Sequence, residues 1–74
     1  MGNFSKVGEI WITGTVKTLK ADKGFGFIRD LNGLEYFFHH TDAPDFEAFT
    51  LGTAVRFVAK AGTKGPRAEK VELL

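Results

Sequence analysis

The side chains in this sequence best suited to chemistry are flat rings. Lys23-Gly24-Phe25-Gly26-Phe27-Ile28 and Tyr36-Phe37-Phe38-His39-His40 crowd them into one short stretch of a 74-residue chain. A domain this small cannot bury all of them on one side, so some face water, and rings framed by Gly and Lys offer π surfaces to a planar ligand. Unpaired nucleic-acid bases are the commonest ligand of that kind. His39 and His40 also invite acid–base or metal chemistry. Neighbouring residues on a strand point to opposite faces, so the two imidazoles are not expected to converge, and no third ligand, nucleophile constellation or phosphate loop accompanies them. The expectation is a binding module and not an enzyme, with no metal and no cofactor.

Ten Lys plus Arg against nine Asp plus Glu leave a net charge of only +1. The field of the whole molecule therefore does not attract a polyanion, and the placement of charge matters more than its total. Lys17, Lys20, Lys23 and Arg29 surround the first ring motif, Lys60, Lys64, Arg67 and Lys70 lie near the last loop, and Asp42, Asp45 and Glu47 form a separate acidic stretch. A local basic face and an ordinary solvated mixture both fit this distribution. Cysteine is absent, so the apolar core alone must stabilise one small domain. No apolar run reaches the roughly 18 residues of a membrane span, and no basic and apolar leader opens the chain. Asn3-Phe4-Ser5 matches a glycosylation acceptor without a secretory route. A cytoplasmic monomer is expected.

The elements that must position the rings are strands. Apolar residues alternate over short runs bounded by Gly, Asn, Asp and Pro, and no segment holds a 3.6-residue period for three turns. A first strand is expected from Glu9 to Leu19, with Ile10, Ile12 and Val16 sharing one face and Gly14 bending or bulging it. Phe25 to Arg29 and Leu34 to His39 form a hairpin about the Asn32-Gly33 turn. Thr41 to Asp45 interrupts the pattern, and Phe46 to Leu51 holds a single helical or 3₁₀ turn. Thr53 to Ala59 and Arg67 to Leu73 make a second hairpin around a loop at 62–66, with Pro66 at a strand start. Five short strands predict a small closed barrel, because closure removes exposed edges.

Strand parity then sorts the rings. With Gly26 and Ile28 inward, Tyr36 and Phe38 complete the core, and Phe25, Phe27, Phe37 and His39 share the outer face. Gly24 and Gly26 between protruding rings would let bases approach closely. Each stacked base is worth about 1–3 kcal/mol, whichever base it is.

These residues resemble the cold-shock domains. Lys23-Gly24-Phe25-Gly26-Phe27-Ile28 is similar to the first ribonucleoprotein motif of that family and Tyr36-Phe37-Phe38-His39 to the second. Gly14-Thr15-Val16-Lys17 and Lys64-Gly65-Pro66-Arg67-Ala68 extend the likeness from Gly14 to Val71. The first motif alone also opens the RRM signature, but an RRM carries its other ring motif on an earlier strand with a helix between. The resemblance implies an all-β, five-stranded antiparallel OB-type barrel that binds single-stranded RNA or DNA. It carries ligand contact to Lys17, Lys23, Phe25, Phe27, Phe37 and His39, and to Phe46 and Lys64. Lys20, Arg29 and Arg67 are further candidates for phosphate contact. An N-terminal extension over residues 1–12, continuing the first strand, would precede a domain over 13–74.

Three positions depart from the family. It usually has Trp and Phe at Thr18 and Leu19 and a further Phe at His40, so binding weaker or shorter in footprint is one consequence. Trp11 shares parity with Lys17 and either extends the ring platform or clamps the N-terminal segment onto the barrel. The expected function is single-strand binding by stacking, ATP-independent and chaperone-like. The competing class is an OB barrel whose ring face docks a partner protein.

Overall fold

The computed structural model describes residues 9–63 and 65–74. Five strands, β1 (Trp11–Lys20), β2 (Phe25–Asp30), β3 (Glu35–His39), β4 (Ala54–Gly62) and β5 (Gly65–Leu73), close into a barrel in the order β1-β2-β3-β5-β4. Every pairing is antiparallel except β3 with β5, joined at Phe37↔Arg67. The expected five-stranded antiparallel barrel is present, and its one parallel pairing has a geometric reason. A closed ring with an odd number of strands cannot alternate direction all the way round.

β1 starts two residues later than expected, at Trp11, and Ile10 is 66% exposed instead of joining the inner face. The irregularity expected at Gly14 falls between Val16 and Thr18. Gly14 instead permits close strand contact. A Cβ there would lie 2.5 Å from the Arg29 carbonyl oxygen, so β1 and β2 approach too closely for a side chain. At the other hairpin the strands continue to Gly62↔Gly65, where a longer loop was expected, and Pro66 sits near the start of β5. A 3₁₀ turn at Phe46–Ala48 matches the expected helical turn. A second, at His40–Asp42, was not foreseen.

The core gathers Val16, Ile28, Tyr36, Phe38, Phe49, Val55, Phe57, Ala68 and Val71. Phe38 and Phe57 have no exposed surface, each contributing about 1.5–3 kcal/mol by burial. The β2–β3 turn is organised by Asp30. Its carboxylate accepts the N–H groups of Asn32 and Leu34, each at 2.9 Å, and the Tyr36 hydroxyl at 3.0 Å, while Gly33 takes the left-handed φ of 87°. Burial pushes the Asp30 carboxyl up, but the hydrogen bonds from Leu34, Tyr36, Asn32 and Gly33 outweigh it and hold the group below its usual range. Burial, followed by that bond and the charge of Asp30, raises the Tyr36 phenol.

Candidate nucleic-acid interface

Register brings the rings together. Phe27 lies opposite Phe37 and Phe25 opposite His39 across β2–β3, with Gly26, Ile28, Tyr36 and Phe38 turned inward as parity required. Phe25, Phe27 and Phe37 stand outside the core cluster, partly buried by one another. Their centroids are 5.7 Å apart for Phe25–Phe37 and Phe27–Phe37 and 6.4 Å for Phe25–Phe27. Phe25–Phe27 and Phe27–Phe37 meet edge to face and Phe25–Phe37 is tilted by 33°, contacts that orient the rings relative to one another.

The glycines serve this face from behind. A Cβ at Gly26 would meet the Thr18 carbonyl oxygen at 2.4 Å and the Phe38 ring at 2.9 Å, so close packing under the platform requires it, not the approach of a base. Gly24, at φ 76°, turns β1 into β2, and its Cβ would sit 2.5 Å from the His40 ring.

His39 and His40 correct an expectation. Their rings lie 4.4 Å apart and tilted by 38°, not on opposite faces. Strand alternation ends at His39, and the 3₁₀ turn that follows swings His40 round beside it. His39 Nδ1 accepts the Thr41 N–H at 3.3 Å, and the Asp42 carboxylate accepts the His39 N–H at 3.3 Å, a reciprocal cap on that turn. Among the described residues no group of three potential ligands could hold a metal ion.

Phe46 joins the site from the 3₁₀ turn at Phe46–Ala48, packing on Phe38, Phe49 and His40 at about the same ring separation. Its outer side lines an open recess of about 870 Å³ with Lys23, Gly24, His40, Asp45 and Glu47. Sequence reasoning missed this recess, because the chain segments that form it are distant in sequence.

Of the expected cations, Lys17, Lys20, Lys23 and Arg29 are exposed on β1, β2 and the turn between them, with Lys20 paired to Phe25. Lys64 lies outside the described residues. Arg67 is held differently: its Nη2 donates to the Asp42 carboxylate at 2.9 Å, and its guanidinium carbon lies 5.9 Å from the Phe37 ring centre. Lys70 pairs with Glu9, which raises its ammonium by hydrogen bond first and charge second. The structure does not bring Trp11 to the ring group. β1 pairs with β2 only from Gly14 onward, so Trp11 lies opposite Val58 on β4, with the Arg56 guanidinium 5.1 Å from its ring centre.

A closed five-stranded barrel with such a ring face is matched by known proteins. Residues 12–74 fit the family described as the 'Cold-shock' DNA-binding domain. The chain belongs to the cold-shock domain family. It is 41% identical over 64 residues to the cold shock-like protein CspLB of Listeria monocytogenes, covering 84% of this chain and 97% of that protein. A cold shock-like protein of Aquifex aeolicus is 42% identical over 64 residues, covering 82% and 91%. Among solved structures, the Drosophila Unr CSD456 superposes with a TM-score of 0.75 at 28% identity. That match covers 97% of this chain and 30% of the longer one. The family thus supports nucleic-acid binding in general, and the barrel is of the OB type.

Proposed function

We propose that this cold-shock domain binds unpaired RNA or DNA by stacking bases on Phe25, Phe27, Phe37 and His39, with phosphate contacts from Lys17, Lys20, Lys23 and Arg29. The observation that carries this reading is the cluster of three mutually touching phenylalanines outside a barrel that already has a complete core. Apolar rings left half-buried in one contiguous group at the surface mark a place where a ligand binds. Stacking accepts any base, so little sequence preference follows from these rings alone. Duplexes are poor ligands because their bases already stack on one another.

Such a module needs no ATP. By binding the open strand and not the hairpin, it shifts the equilibrium toward unpaired nucleic acid by mass action, which is chaperone-like behaviour of a monomer in the cytoplasm. The test is a titration with single-stranded oligonucleotides of about eight nucleotides, oligo-dT and oligo-dA, at low salt. Saturable binding of both, weakened about 5- to 100-fold in Phe27→Ala, is expected from the loss of one stacked base. No saturable binding to either would favour the protein-docking alternative.

A further inference from the structure

We propose that Arg67 reads base identity, selecting guanine in the recess between the ring platform and the β4–β5 turn; this rests on the stacking reading above. The recess, of about 390 Å³, is walled by Phe27 and Phe37 on one side and by Gly62, Thr63, Gly65 and Pro66 on the other, with Arg67 at its edge. It has room for one base, and two of its walls are rings against which that base lies flat.

Arg67 is not placed to act as a simple phosphate anchor. The Asp42 carboxylate, only 16% exposed, meets its Nη2 at 2.9 Å and pairs with its charge. That contact and the Phe37 ring, 5.9 Å from the guanidinium carbon, restrain the guanidinium from two sides. Asp42 is itself held by the His39 N–H, and Arg67 lies in register with Phe37 through the single β3–β5 pair. The result is a rigid fork of donors beside a stacking ring. Nε is buried without a partner and one Nη2 N–H goes to Asp42, while no described residue engages the donors of Nη1.

A guanidinium donates hydrogen bonds and accepts none. It therefore favours a base edge carrying acceptors and disfavours an amino group facing it. The edge that offers a fork two adjacent acceptors is guanine O6 and N7, whereas adenine puts an amino donor beside its N7. Preorganisation by Asp42 means that the fork need not be ordered when the base arrives.

The test uses seven-nucleotide oligothymidylate in which each position in turn carries dG, dA or 7-deaza-dG, the last lacking the N7 acceptor. The expected result is one position where dG binds about tenfold more tightly than dA, the scale of one bidentate contact. There 7-deaza-dG should lose most of that gain, and Arg67→Lys should abolish the difference between dG and dA at that position. Lys keeps the charge opposite Asp42 and removes only the fork. Binding that is saturable but equal for dG and dA at every position overturns the proposal and leaves the platform intact, as does a dG preference that survives Arg67→Lys. No saturable binding of any oligomer overturns both. Should Arg67→Lys fail to fold, the 7-deaza comparison on the unaltered protein decides alone.

Discussion

Gly26 and Phe27 are neighbours that answer to different constraints. Gly26 faces a carbonyl and a fully buried ring, neither able to yield, so Gly26→Ala should destabilise the barrel by about 1–3 kcal/mol. Phe27 faces outward, and Phe27→Ala should lower the denaturant midpoint less than Gly26→Ala does while weakening oligonucleotide binding. The two variants, compared by urea unfolding and by titration, separate support of the platform from the platform itself. Equal destabilisation by both would mean that Phe27 is a core residue. Alternation in the sequence was enough to tell these residues apart, since Phe25, Phe27 and Phe37 lie outward and Gly26, Tyr36 and Phe38 inward. It failed at His40 because the residue lies one position past the end of β3, where the two-residue period no longer operates. The Asp42–Arg67 pair was equally out of reach, since nothing local connects residues that far apart in sequence.

The β2–β3 hairpin shows how much an element adds to its turn signal. Asn32-Gly33 marked the reversal, but Asp30 at its start does the organising, by accepting two backbone N–H groups and the Tyr36 hydroxyl. A carboxyl held below its ordinary value of 3.8 contributes stability that is fully present above that pH and is lost as pH falls through the folded value. Thermal unfolding followed from pH 6 down to about pH 2 should therefore show a loss of stability in acid that is smaller in Asp30→Asn. The variant should also melt lower at neutral pH, because an amide accepts the same N–H groups more weakly. An unchanged acid slope in the variant would show that Asp30 is not the group responsible. Hairpin strands that ran only as far as their alternating residues would have ended β4 at Ala59. Instead, backbone pairing carries it to Gly62 through Lys60 and Ala61, residues whose side chains reveal nothing about pairing.

At the level of the whole molecule, closure decides which charges a polyanion meets. The net charge of +1 predicts almost no long-range attraction, so any dependence on salt must come from contacts within the site. Two groups stand out among the described cations. Arg56, Arg67 and Lys70 are each tied to a carboxylate, Glu72, Asp42 and Glu9 respectively. Lys17, Lys20, Lys23 and Arg29 are in none of these ion pairs and are exposed on the β1–β2 side, with Lys20 opposite Phe25. The sequence placed Arg67 and Lys70 together near the last loop, but pairing with β4 and a left-handed Lys70, φ 54°, turn them to different partners. Three or four phosphate contacts on a single strand imply that log Kd changes with log salt with a slope of about 2–3 in magnitude, near 0.7 for each contact. Titrations between about 50 and 300 mM salt should give that exponent, Lys23→Gln should lower it by about 0.7, and Arg67→Gln should leave it where it was. An exponent near zero with binding intact would mean that the rings alone hold the ligand. One that fell with Arg67→Gln would return that residue to the phosphate-binding set and remove it from base reading.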